Sequence, residues 1–267
     1  MEIEKLVYEN LMENGTLLDL ENKGIGLGEL DSLCKLEEIS TLEKLYLSNN
    51  VLGDAELETL AKSKISESIT HLYLNHNHIG SLGGKGLRAL LGADWVSGLK
   101  CLMLEANRIG PEDASAISES RCLENLETLF LDSNPLGPEG VEILANTQNL
   151  PALKALHLDK TDMGDEGASV LAGTKTLTGL NNLYLCSNRI GNSGFAALVE
   201  SSAFRTLKVL SVWRNEIRDE GGELLSEDGP FPNLERLYMS LNLIDKPMRR
   251  AIRSGPLAKR LNVLVMD

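Results

Sequence analysis

Histidine is crowded into one stretch of the chain, with His71, His76 and His78 inside eight residues. Neutral imidazole is both a metal ligand and a general base, so such a cluster is the first place to look for chemistry. His76 and His78 form a His-x-His pair, but no fixed carboxylate accompanies them. They straddle Asn77, which turns inward in the frame described below, so both are expected to face solvent. His71 has a different neighbour: in that frame it lies beside Cys101, and an imidazole next to a thiol can activate a nucleophile. The four cysteines, Cys34, Cys101, Cys122 and Cys186, contain no CxxC pair and no dense framework. No phosphate-cradling glycine loop, pair of carboxylates in a cleft or Ser-His-Asp arrangement can be assembled. The sequence therefore offers no catalytic residue, no metal site and no cofactor site.

The elements that position these residues come from an internal repeat. Leu42-Glu-Lys-Leu45-Tyr-Leu47-Ser-Asn-Asn50-Val-Leu52-Gly53 recurs as Leu126-Glu-Thr-Leu129-Phe-Leu131-Asp-Ser-Asn134-Pro-Leu136-Gly137. The same frame starts at Ile69, Leu99, Leu153, Leu180, Leu207 and Leu234, with weaker copies at Gly15 and Leu261. Starts are 27 residues apart except from Ile69 to Leu99, where the gap is 30. The extra residues fall in Ser81-Leu-Gly-Gly-Lys85 and should bulge a loop without shifting the sheet. Leu45 and Leu47 alternate with a variable residue, the pattern of a strand with one buried face. Asn50, Asn77, Asn107, Asn134, Asn188, Asn215 and Asn242 hold the following turn, where an amide can bond its own and the next coil. Lys23 and Thr161 replace that Asn and should weaken the ladder locally. The second half of each unit reads as a helix with acids in its first turn, as in Pro138-Glu139 and Asp165-Glu166.

Strand parity turns one residue per repeat away from the core. That column reads Asp19, Tyr46, Tyr73, Met103, Phe130, His157, Tyr184, Ser211, Tyr238 and Val265. Four of the five tyrosines fall in it, and Trp213 faces the same way two residues beyond Ser211. Aromatics suit strands for packing alone. Here they are scarce and avoid the other outward slots, so the column is read as a partner-binding stripe. Two residues further along, Glu105, Asp132 and Asp159 place three acids on consecutive strands, a repulsive arrangement that a cationic partner group relieves. Arg214 and Arg236 make the same face positive toward the C-terminus.

The frame Leu-x-x-Leu-x-Leu-x-x-Asn-x-Ile-Gly followed by a helix, as in Leu180 to Gly191 and Asn192-Ser-Gly194-Phe-Ala-Ala-Leu198, resembles the ribonuclease-inhibitor-like class of leucine-rich repeats. The resemblance covers residues 15 to 267. That class includes ribonuclease inhibitors, Ran GTPase-activating proteins and the sensor repeats of immune receptors. It implies an α/β leucine-rich-repeat solenoid, a horseshoe with a parallel concave sheet and convex helices. Residues 1–14 are expected to form a capping helix, with Ile3, Leu6, Val7 and Leu11 on one face. Residues 15–267 are expected to form a single solenoid of about ten repeats, the last a truncated cap. About ten strands at ~4.8 Å give a sheet roughly 45 Å long.

Composition narrows the work such a surface can do. Hydrophobic residues make up 42% of the 267 but aromatics only 4%, so the core is built from repeated leucine. A formal charge of −13 disfavours nucleic acid and anionic membranes as partners. The N-terminus lacks the layout of a secretory signal, and no apolar run reaches the length of a membrane span. A cytoplasmic location is expected, with export lacking a cleavable signal as the alternative. The expected function is a monomeric, non-catalytic scaffold that binds a protein with a basic or mixed-charge surface. The alternative is a GTPase activator, or other enzyme regulator, acting through loops at a sheet edge.

Overall fold

Leu45 and Leu47 are fully buried, whereas Tyr46 between them is half-buried on the opposite side of the strand. The same alternation recurs at Leu72/Leu74, Leu102/Leu104, Leu183/Leu185 and Leu210/Val212, all fully buried. Period-two burial of this kind makes each strand one layer of a leucine core. A computed structural model describes residues 3–65, 67–80, 83–226, 229 and 231–267. The chain divides into two compact units. The first spans Met1–Asn134 with Gln148–Ala152, the second Pro135–Thr147 with Leu153–Asp267.

In the first unit the strands are β1 (Leu11–Met12), β2 (Leu17–Asp19), β3 (Lys44–Tyr46), β4 (His71–Tyr73), β5 (Cys101–Met103) and β6 (Thr128–Phe130). From β2 onward they pair in parallel, each with the next in sequence. The helices between them are α1 (Ile3–Asn10), α2 (Leu27–Leu33), α3 (Asp54–Ala61), α4 (Lys85–Leu90) and α5 (Pro111–Glu119). In the second unit β7 (Ala155–His157) pairs in parallel with β8 (Asn182–Tyr184). The run continues through β9 (Val209–Ser211), β10 (Arg236–Tyr238) and β11 (Val263–Val265). Its helices are α6 (Gly137–Ala145), α7 (Gly164–Ala172), α8 (Asn192–Glu200), α9 (Asp219–Glu223), α10 (Lys246–Ser254) and α11 (Pro256–Arg260). Both units are stacks of one strand–turn–helix coil, and the fold is an α/β leucine-rich-repeat solenoid.

The strands begin one residue earlier than the leucine pattern suggests. The ladder nevertheless runs on past them, since the Leu47 amide still donates to the Tyr73 carbonyl at 2.8 Å. The 30-residue repeat leaves the register intact, because His71 pairs with Cys101 as Lys44 pairs with His71. The loop that absorbs the extra length turns at Gly80, where φ is +92° and a Cβ would lie 2.5 Å from the Arg108 carbonyl oxygen. Ser81 and Leu82 lie outside the described residues.

The asparagine ladder runs in the opposite sense to expectation. Asn50 donates to Leu47 of its own coil and to Leu20 of the preceding one, both at 2.9 Å. Its Oδ1 accepts the Lys23 and Ile25 amides, again of the preceding coil. An Asn therefore serves the coil before it. Lys23 sits in the first copy and has no such coil to serve, so its substitution costs the ladder nothing. Thr161, fully buried, keeps a bond to the Leu158 carbonyl at 3.0 Å, but a hydroxyl has one hydrogen where an amide has two.

A second ladder, which the sequence reading missed, ties the helix starts together. Asp54 accepts the Gly86 amide at 2.8 Å, and Asp165 accepts those of Gly191 and Gly194 at 2.6 and 3.0 Å. Asn192 accepts Arg218 at 2.8 Å and Asp219 accepts Asp245 at 2.7 Å. Each polar side chain opening one helix thus satisfies an amide at the start of the next, where backbone donors have no partner within the helix.

At the N-terminus α1 buries Ile3, Leu6 and Val7, and Leu11 leaves the helix. With Met12 it pairs antiparallel to β2, Leu11 opposite Leu18. The first parallel strand otherwise presents a bare edge, and the short hairpin covers it more completely than a helix can. In the second unit Ile252, Leu257 and Met266 are buried beneath the last strands.

Candidate interaction surface

The sheet face away from the helices carries three columns of side chains. The middle one is Asp19, Tyr46, Tyr73, Met103 and Phe130 in the first unit, and His157, Tyr184, Ser211, Tyr238 and Val265 in the second. Strand parity suggests that these aromatics are openly exposed. They are instead half-buried, because parallel pairing at strand spacing lets adjacent rings cover one another. Tyr46 and Tyr73 stack with centroids 4.0 Å apart and planes 6° from parallel, and His71 stacks beside Tyr73 at 6.2 Å. In the second unit His157 and Tyr184 stack at 4.1 Å and 14°. Offset stacks of this kind contribute about 1 kcal/mol beyond area burial. The columns are therefore stiff apolar ribs.

Burial also sets their ionisation. It holds the Tyr73 hydroxyl above the usual phenol range, helped by a hydrogen bond with Tyr46, and it brings His157 down to about 4. Tyr184 is raised mainly by burial, then by the Tyr238 phenol, while Arg236 opposes the shift. These side chains are neutral at physiological pH, which suits contact more than proton transfer.

The third column is partly structural. Ser48 accepts the Asn75 amide at 3.2 Å, Asn75 accepts Glu105 at 2.9 Å, Asp159 accepts Cys186 at 2.6 Å and Ser240 accepts Asp267 at 3.2 Å. The amide just past each three-residue strand still donates into the ladder, but the one after it does not, and a short acceptor in this slot of the preceding coil takes it up. Asp159, read from sequence as a charge awaiting a partner, is thus already employed by its neighbour. Glu105 and Asp132 stand half-buried in the same column of the first unit. The sequence signal for this ladder was the short polar residue recurring two positions after the aromatic slot.

Charge is uneven. The first unit holds 11 Lys and Arg against 23 Asp and Glu, a net of −12; the second holds 15 against 16, a net of −1. On the first unit's face, Asp19, Glu21, Glu105 and Asp132 occupy the middle and third columns without a cation among them. On the second, Arg214 and Arg236 are exposed and Trp213 stands 39% exposed in the third column.

The histidine and cysteine candidates show no activation. His71 does lie beside Cys101, but burial pushes that thiol up to about 11. His71 is itself lowered, chiefly by burial, and its Nδ1 is 2.8 Å from the Thr70 hydroxyl. Cys34 and Cys186 are likewise raised, to about 11 and about 12. A nucleophilic thiol needs the opposite shift. His76 and His78 are exposed, as the frame implies. Among the described residues no group of three or more His, Cys, Asp or Glu is placed to hold a metal, and no helix is long and apolar enough to cross a membrane.

Comparison with known proteins agrees with this architecture. A family model described as Leucine Rich repeat matches residues 38–61, 66–87, 149–172 and 205–226. Each stretch contains one repeat start identified above. No curated protein matches in sequence. Among solved structures, the chain is similar to one described as the TLR13-ssRNA13 complex, with a TM-score of 0.56 and 20% identity over 91% of this chain. This chain spans 38% of that one, and at this identity the likeness concerns the fold.

Proposed function

We propose that this chain is a non-catalytic scaffold that holds a protein partner on the open face of its sheet. The ribs Tyr46, Tyr73, Met103 and Phe130, and His157, Tyr184, Trp213 and Tyr238, are its contact surface. The observation that carries this reading is the distribution of aromatics. Six of the eleven Phe, Tyr and Trp residues stand on the open strand faces, Tyr46, Tyr73 and Phe130 in the first unit and Tyr184, Trp213 and Tyr238 in the second. Aromatic side chains give large contact area at small entropy cost and dominate binding hot spots. The raised thiols speak against cysteine catalysis. Four free thiols fit a reducing compartment, so a cytoplasmic location is part of the proposal. The ribonuclease-inhibitor-like subclass and a monomeric state belong to it as well.

Single-stranded RNA is the competing ligand, because the similar solved structure is described as an RNA complex and stacked aromatics can hold bases. A net charge of −12 on the first unit opposes a phosphate backbone there, and a protein with cationic groups meets Glu105 and Asp132 favourably.

The test places a photo-reactive amino acid at Phe130 or at Tyr184, with Glu142 on α6 as the control, in the native source. The reading expects adducts to one partner from the two sheet positions and none from the control. With that partner purified, Tyr73→Ala or Tyr184→Ala should weaken binding roughly tenfold or more while lowering stability by only about 1 kcal/mol. Equal cross-linking from Glu142, or tighter binding to single-stranded RNA than to any protein, defeats it.

A further inference from the structure

Large exposed apolar side chains are few among the described residues. In the second unit they are Trp213, Leu241 and Leu243. All three belong to two consecutive coils. The parallel pairing of β9 with β10 sets Ser240 beside Trp213, and the Arg214 amide donates to the Ser240 carbonyl at 2.9 Å. Leu241 and Leu243 follow immediately, 57% and 47% exposed, on either side of the inward-turned Asn242.

Leu241 is the least expected of the three. Its slot takes a left-handed backbone in repeat after repeat, with φ between +51° and +57° at Asn22, Asn49, His76, Ala106, Ser133, Lys160, Ser187, Arg214 and Leu241. A non-glycine residue there costs roughly 1 kcal/mol, and the other occupants are polar apart from the small Ala106. An exposed leucine in that slot carries both a backbone cost and a solvation cost. Nor is the exposure of Trp213 an edge effect, since Cys186 and Ser240 flank it on both sides.

The exposed cations beside this patch are Arg214 and Arg236, and an acid, Asp267, stands beside Ser240 on the next strand. Arg214 and Arg236 are exposed and make no ion pair with a carboxylate among the described residues, and Arg236 stands close enough to Tyr184 to act on its hydroxyl. Of the nearby acids, Asp159 is engaged by the Cys186 amide, Glu216 lies at the far rim in the slot equivalent to Leu243, and Asp267 stands exposed on the far side of Ser240 from Trp213. Trp, Tyr and Arg around a small central residue, here Ser211, is the composition of an energetic hot spot.

We propose that Trp213, Leu241 and Leu243, with Arg214 next to Trp213 and Arg236 at the opposite end of β10, dock an extended acidic segment of a protein partner that lays an aromatic or aliphatic side chain against Trp213. This rests on the scaffold reading and narrows it to one site and one partner chemistry. Carboxylates meet the two arginines while the apolar side chain covers the tryptophan and leucines. RNA would satisfy the arginines and stack on the tryptophan, but it gives the two leucines nothing.

The experiment is a selection of a random twelve-residue peptide library on the full chain, followed by titration of the enriched peptides. Trp213 emission reports binding directly, because the second tryptophan, Trp95, is buried. The expected peptides combine several Asp or Glu with a Phe, Trp or Leu and shift that emission. Their Kd should rise roughly thirtyfold in Trp213→Ala and roughly tenfold in Arg236→Glu or Leu243→Ser, with the melting temperature unchanged. Enriched peptides that are basic or neutral, or that bind Trp213→Ala as well as the parent, overturn the proposal, as does failure to enrich any. So does mixed-sequence single-stranded RNA that shifts Trp213 emission at comparable affinity. Peptides that lose binding in Tyr73→Ala but not in Trp213→Ala defeat this site and leave the scaffold reading standing. Binders indifferent to every substitution on the open face defeat both.

Discussion

Asp113 shows how a single residue in this repeat can be set against its surroundings. It is 1% exposed; its Oδ2 accepts the Gly110 amide at 3.0 Å, and its Oδ1 has no partner among the described residues. Burial raises its pKa, and the nearby Asp54, also buried with an unpartnered oxygen, adds to the shift. For an acid whose folded pKa is raised, the cost is absent below the unfolded value near 4. It appears as pH rises through the folded value. Asp113→Asn keeps an acceptor for Gly110 and removes the charge. It should therefore raise the melting temperature by a few degrees at pH 7, corresponding to about 1 kcal/mol, and the gain should vanish below about pH 4. A pH series of thermal melts on the two proteins checks this. A gain that persists into acid would place its origin in packing.

The helix starts show the same economy at the scale of an element. Complementing the helix dipoles accounts for the sign of their acids but not for their position. Asp165 accepts two amides of the following helix and is also bonded by the Ser193 hydroxyl, so one carboxylate links α7 to α8. Close approach is part of the arrangement, since a Cβ on Gly194 would come within 2.6 Å of Asp165 Oδ1. Asp165→Ala should cost about 2–3 kcal/mol, the charge-assisted bonds being lost and two amides stranded, whereas Asp165→Asn should cost less. Gly194→Ala ordinarily favours a helix by nearly 1 kcal/mol, yet here it should destabilise. Chemical denaturation of the three variants separates a link between helices from a dipole effect. If alanine and asparagine at 165 behave alike, the link is not what the carboxylate supplies.

For the whole molecule, a stack of coils has no centre, and each layer depends on its neighbours. At the N-terminal end of the first unit α1 buries Ile3, Leu6 and Val7, and Leu11 and Met12 pair antiparallel with β2. Deleting residues 1–14 should bare both the apolar floor under Ile3, Leu6 and Val7 and the edge of β2. Lower melting and concentration-dependent light scattering are the expected results. A truncated protein that stays monodisperse with unchanged melting would show that this segment is no cap.

Taken by itself, the sequence determined the coil and its parity. Leucine at alternate positions can be buried only one way round, and a 27-residue spacing kept through a 30-residue exception leaves the strands one register. Strands start a residue before the first leucine of each pair because hydrogen bonding, which carries no side-chain signature, sets where a strand starts. Tertiary structure alone decided how outward side chains treat one another. Stacking turned an exposed tyrosine column into half-buried ribs, and the amide of Cys186 took up Asp159. The same packing left Trp213, Leu241 and Leu243 uncovered. Such contacts join residues 27 positions apart, and their outcome rests on distances of an ångström or two that residue type does not encode.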